Sequence, residues 1–193
     1  MAGPQGLGPI LQGFNTAMME TKSHQSVSRN RKKARVPLSK LRTSEALRTV
    51  VDHPRRLEEL VTLLDDSSQS LRGRAAATLA GLAEKYPGRL LRVLDRLREA
   101  LMDDSAYVRW HLVYTLGRIG ASFPMRAPQF LHELLARLDD GNRIVRTVSS
   151  HTLSRLAARK PEMIRKLFES SKHDLPPAVA RVLRRFARKT KKG

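Results

Sequence analysis

Trp110, Tyr114 and Arg118 stand one helical turn apart. An indole, a phenol and a guanidinium at that spacing make one stripe on a helix. Stacked bases flanked by phosphates suit such a stripe. A protein partner suits it too, because Trp, Tyr and Arg dominate binding hot spots. A third reading folds Trp110 over the neighbouring helix as packing. His111 and His151 belong to the same region, but two histidines without a nearby carboxylate do not make a metal site. The sequence has no Cys, hence no thiolate nucleophile and no Cys-based metal site. It also has no Gly-rich phosphate loop and no Ser/His/Asp set with a recognisable elbow. A binding protein without catalytic activity, metal or cofactor is expected.

Charge points to an anionic partner. There are 37 Lys and Arg against 18 Asp and Glu, a formal charge of +19. Residues 1–42 read as an arm, interrupted by Gly and Pro at first and then basic, with Arg29, Arg31, Lys32, Lys33 and Arg35 at its centre. Such an arm adds phosphate contacts without sequence information; solvation or targeting would use the same residues. Arg181, Arg184, Arg185 and Arg188 form a second basic cluster, and residues 189–193 a short basic tail. Residues 43–193 alone keep +12, so the charge is not confined to the arm. Met1 to Met19 lacks an early Lys or Arg and does not read as a signal peptide. No apolar run approaches the length of a membrane span. A soluble, monomeric, cytoplasmic protein that does not engage membranes is expected.

The elements that position these residues follow from a repeat. Arg72, Arg109 and Arg146 are 37 residues apart, as are Leu79, Leu116 and Leu153, and Pro87, Pro124 and Pro161. A fixed period of this size means a repeat architecture. After each Asp-Asp pair the apolar residues take helical spacing, as in Val108, Leu112, Leu116, Ile119 and Phe123. Each helix stops at its proline. A second apolar-periodic run, such as Leu90, Leu91, Leu94, Leu97 and Leu101, leads to the next Asp-Asp. Each repeat is therefore a front helix, a turn and a back helix, which bury their apolar stripes only by stacking on neighbours. The boundaries fall at about 54–87, 88–124, 125–161 and 162–188 within a domain of residues 43–188. A helix from Ser44, with that residue as N-cap, precedes the first repeat.

The pattern resembles HEAT repeats of the short bacterial kind. The likeness is carried by Asp66, Asp104 and Asp140 before the back helices, by Arg72, Arg109 and Arg146 in their first turns, and by the small-x-x-small-Leu runs that follow. It implies an all-α, right-handed α-solenoid of three and a half to four helix pairs, with those Asp and Arg side chains forming a ladder between repeats. It also implies that the back helices line a concave surface. Helix phase then sets the outward positions one, two, five and nine residues after each ladder Arg. These are Gly73, Arg74, Ala77 and Gly81; Trp110, His111, Tyr114 and Arg118; and Thr147, Val148, His151 and Arg155, with Arg159 on the flank. Thr78, Thr115 and Thr152 flank the apolar stripe and are expected to pack between helices. Two partners fit: a DNA or RNA backbone, slightly favoured by charge, or an acidic protein for which Trp110 and Tyr114 are anchors. A HEAT-like DNA glycosylase is a minor alternative, in which Glu84 is the one acid on the outward positions.

Overall fold

The computed structural model describes residues 36–160, together with Glu162, Lys166 and Arg184, which are helical and exposed. The chain divides into two compact units, Met1–Lys40 and Leu41–Gly193. The described part of the first is residues 36–40, ending in a 3-10 turn at Leu38–Lys40. The second carries all the elements discussed below. The expected fourth repeat and basic tail lie outside the described residues apart from the three residues just named.

The second unit is all-helical among its described residues. Its helices are α1 (Thr43–Asp52), α2 (Leu57–Thr62), α3 (Gln69–Lys85), α4 (Leu94–Glu99), α5 (Ala106–Ser122), α6 (Leu131–Ala136) and α7 (Arg143–Arg159). Helix α1 starts at Thr43 with Arg42 at the N-cap, so Ser44 is not the cap. The Arg42 N–H donates to the Glu45 carboxylate at 3.2 Å, which satisfies one free N–H at the entrance to the helix. The front helices also depart from expectation. Each is a short α segment with 3-10 turns on both sides: Pro54–Arg56 and Leu63–Asp65 around α2, Pro87–Val93 and Ala100–Met102 around α4, Pro124–Gln129 and Arg137–Asp139 around α6. Proline opens each leading turn, where its missing N–H costs nothing.

The long helices α3, α5 and α7 stack side by side in chain order, with α1 against α3, and the short segments form a second layer. Leu79, Leu82, Leu112, Leu116, Ile119, Leu153 and Leu156 from the long helices meet Leu57, Leu60, Leu90, Leu97, Phe130 and Leu134 from the short ones, all buried. Each such side chain contributes roughly 1.5–3 kcal/mol relative to exposure. Thr78, Thr115 and Thr152 are buried among them. Thr78 and Thr115 return their hydroxyls to the carbonyls of Arg74 and His111, at 2.7 and 2.8 Å. Gly117 lets α5 approach Thr152 of α7: an added Cβ would lie 2.7 Å from the threonine methyl.

An arginine ladder fixes the stacking. Arg72 holds the carbonyls of Asp66 and Ser67 in its own turn and reaches forward to Asp103, with Nε 2.6 Å from Oδ2. Arg109 repeats this one unit on, holding the carbonyls of Asp103 and Asp104 and forking onto Asp140 at 2.8 and 2.7 Å. Arg146 holds the carbonyls of Asp140 and Gly141. The resemblance to HEAT repeats places Asp104 in this ladder beside Asp66 and Asp140; the structure puts Asp103 in that place, the residue that lies 37 positions from both. Asp66, Asp103 and Asp140 each accept the N–H two residues on, from Ser68, Ser105 and Asn142. Asp104 also pairs with Arg72, but from solvent, its side chain 84 % exposed against 6 % for Asp103. Burial alone would raise the Asp103 and Asp140 carboxyls. Hydrogen bonds from Arg72 and the Ser105 N–H, and from Arg109 and the Asn142 N–H, outweigh it and hold both below the usual carboxylate range.

Candidate functional site

The outward side of α5 carries the aromatic stripe. Trp110 is half-buried, edge-on to Tyr107 with ring centroids 5.7 Å apart, and it stacks on His111 at 3.5 Å. Tyr107 itself is 51 % exposed. Sequence phase counts outward positions from Arg109 onward and so misses Tyr107, two residues earlier. The signal was present, since Tyr107 lies seven residues, two helical turns, before Tyr114. One repeat later in the same register stands Ile144, 57 % exposed. Beside Tyr107 a cleft of about 490 Å³ opens between the first turns of α3 and α5, lined by Gln69, Ser70, Gly73, Arg74, Ser105 and Tyr107.

His111 does not face outward. It is buried, and its Nδ1 lies 2.8 Å from the Tyr107 carbonyl. Burial pushes its pKa below the usual histidine value, against the opposing pull of that carbonyl. Helix α5 packs on both α3 and α7, so its buried arc is wider than one apolar stripe and takes in position 111.

The arginines of the predicted face are largely committed inside the protein. Arg74, half-buried, donates to the Leu41 carbonyl at 3.1 Å. Arg118 pairs with Glu84 at 3.3 Å and donates to the Glu84 carbonyl at 3.2 Å. The Tyr114 hydroxyl donates to the other oxygen of the same carboxylate. Glu84 thus sits with the aromatic stripe, although it lies 30 residues from Tyr114 in sequence. Arg159 is exposed, yet its guanidinium donates to the Ala121 carbonyl at 2.8 Å. His151 and Arg155 are exposed. The front layer follows the same habit: Arg92 pairs with Glu58, Arg96 with Asp65 and Arg98 with Glu133. Residues 36–160 carry 21 basic and 14 acidic side chains, net +7, so +12 of the +19 belongs to the remainder of the chain. Arg29, Arg31, Lys32, Lys33, Arg35, Arg181, Arg185 and Arg188 lie outside the described residues, and Arg184 is exposed.

A family model for HEAT repeats matches residues 57–154, half of the chain. The chain belongs to the HEAT-repeat family. That match covers α2 to the last turns of α7, and so the whole ladder and the aromatic stripe. No curated protein matches the chain. Among solved structures it is similar to a designed armadillo repeat protein in complex with the peptide (KR)4, at 20% identity and a TM-score of 0.57, covering 78% of this chain and 71% of that one. It is also similar to computationally designed armadillo repeat proteins for modular peptide recognition, at 24% identity and a TM-score of 0.54, covering 83% and 73%. These likenesses show the helical-repeat scaffold. Among the described residues no helix is long and apolar enough to cross a membrane, and no group of three His, Asp or Glu is placed to hold a metal ion.

Proposed function

We propose that this HEAT-repeat chain is a non-catalytic scaffold that binds a protein partner across the outward face of α3, α5 and α7. The observation that carries the reading is the stripe of Tyr107, Trp110 and Tyr114 on a face whose arginines Arg74 and Arg118 are already bonded within the protein. Rigid aromatics of that kind anchor protein interfaces. A phosphate backbone instead needs a run of available cations, and the face offers few. Glu84 holds Tyr114 and Arg118, which is a structural task and not that of a free catalytic base. The similar designed armadillo protein is complexed with a basic peptide; the exposed Arg155 here favours acidic residues in the partner.

A second reading keeps DNA or RNA as a partner of the chain ends. It is supported by the +12 carried outside residues 36–160. The two separate by selection of a displayed random dodecapeptide library on the full-length protein. Selected peptides that lose binding to a Tyr107→Ser/Trp110→Ser double variant support the scaffold. If no peptide is selected while oligonucleotides bind, the scaffold reading fails.

A further inference from the structure

The outward face repeats itself with one group missing. Between α3 and α5, Glu84 completes a set: the Tyr114 hydroxyl and the Arg118 guanidinium share its carboxylate, and Arg118 also donates to its carbonyl. Helices α3, α5 and α7 are each 17 residues long and begin at Gln69, Ala106 and Arg143. Advancing the set by one repeat moves it to the contact between α5 and α7. Tyr114 becomes His151 and Arg118 becomes Arg155, so both donors are kept; Glu84 becomes Ala121, so the acceptor is lost. The carbonyl at that position is taken by a different side chain, Arg159, at 2.8 Å. Arg155 is thereby left without that role. His151 and Arg155 are exposed and have no hydrogen bond or ion pair among the described residues.

We infer that His151 and Arg155 form the docking point for a carboxylate of an acidic protein segment, which takes there the place Glu84 takes between Tyr114 and Arg118. The inference rests on the scaffold reading and adds the partner's chemistry. A carboxylate fits better than a nucleic-acid backbone for two reasons. The complete set one repeat earlier is occupied by a single carboxylate shared between one guanidinium and one neutral donor. Among the described residues the outward stripe adds at most one further cation, Arg159, itself tethered to the Ala121 carbonyl, because Arg118 is neutralised by Glu84, and that is short of the run of charges successive phosphates need.

The test is an NMR titration of ¹⁵N-labelled full-length protein with the capped peptide acetyl-(Glu-Leu)4-amide. It is read at the Arg155 Nε–H, the His151 ring and the Trp110 indole N–H, which separates this site from the basic ends of the chain. The Arg155 and His151 signals should shift together and saturate. Arg155→Gln should weaken binding read at His151 at least tenfold. Arg48→Gln, an equal loss of charge at an exposed position on α1, should weaken it less than twofold. Arg155 and His151 signals that stay still while those of residues 1–35 or 161–193 move would overturn the inference. So would equal losses from the two variants, or octathymidylate binding at Arg155 as tightly as the peptide. Trp110 moving without Arg155 would remove the carboxylate site and leave the scaffold. Arg155 moving without Trp110 would keep the site and remove the aromatic face.

Discussion

Asp103→Ala should cost far more stability than Asp104→Ala, although the two residues are adjacent and both pair with Arg72. The Asp103 carboxylate is 6 % exposed and accepts Arg72 Nε at 2.6 Å and the Ser105 N–H at 2.7 Å. Truncation strands a guanidinium that is itself only 14 % exposed and frees an N–H at the start of α5. Breaking a buried pair costs about 3–5 kcal/mol; Asp104 still reaches Arg72 and recovers part, leaving about 2–4 kcal/mol. For a unit of this size that lowers Tm by about 5–15 °C. Asp104 is 84 % exposed, and losing an exposed pair costs at most about 1 kcal/mol. Circular-dichroism melts at pH 7 of the two variants and the wild type make the comparison. If Asp104→Ala costs as much as Asp103→Ala, the register of the ladder is wrong.

Glycines on the long helices should respond differently to alanine. Gly117→Ala should lower Tm despite its better helix propensity, because the new Cβ would stand 2.7 Å from Thr152 inside the α5–α7 contact; Gly73→Ala should be near neutral, since it meets only the exposed ring of Tyr107 at 3.1 Å. Because His111 has its pKa lowered by burial, its contribution is whole above the unfolded value of about 6.5 and is lost as pH falls through the lowered folded value. Thermal melts at pH 7.5 and about 5.5 should therefore show a loss that shrinks in His111→Gln. Glu84→Gln releases Arg118 from its ion pair. Because nucleic acid is assigned to the chain ends, the salt slope of oligonucleotide binding, read by anisotropy, should change by less than about one counterion, while stability should fall by at most about 1 kcal/mol.

The period made the architecture legible, because Arg, Leu and Pro columns at one spacing leave little choice but stacked helix pairs. The same period separates the members of the Asp-Asp pair: Asp103 lies 37 residues from both Asp66 and Asp140, whereas Asp104 lies 38 and 36 away, and burial and the bond to the Ser105 N–H agree with Asp103. Phase taken from a single stripe turns His111 outward, but a helix flanked on two sides buries a wider arc. The Glu84–Tyr114–Arg118 set depends on the offset between neighbouring helices, which no spacing within one repeat encodes. Composition showed the excess of arginine and could not show that the ladder, the front layer and the outward face bond so many of them internally.

The most direct test of the scaffold claim is fluorescence anisotropy of full-length wild type and Trp110→Ala. The two probes are a labelled library-selected peptide and a labelled single-stranded oligonucleotide, each at about 50 and about 200 mM salt, a range over which phosphate-driven binding drops by orders of magnitude. The account predicts peptide binding that survives the higher salt and is lost in Trp110→Ala, and oligonucleotide binding that collapses with salt and ignores the substitution. Oligonucleotide affinity that falls with Trp110→Ala while peptide binding is unchanged would contradict it, and would make the outward face a base-stacking surface.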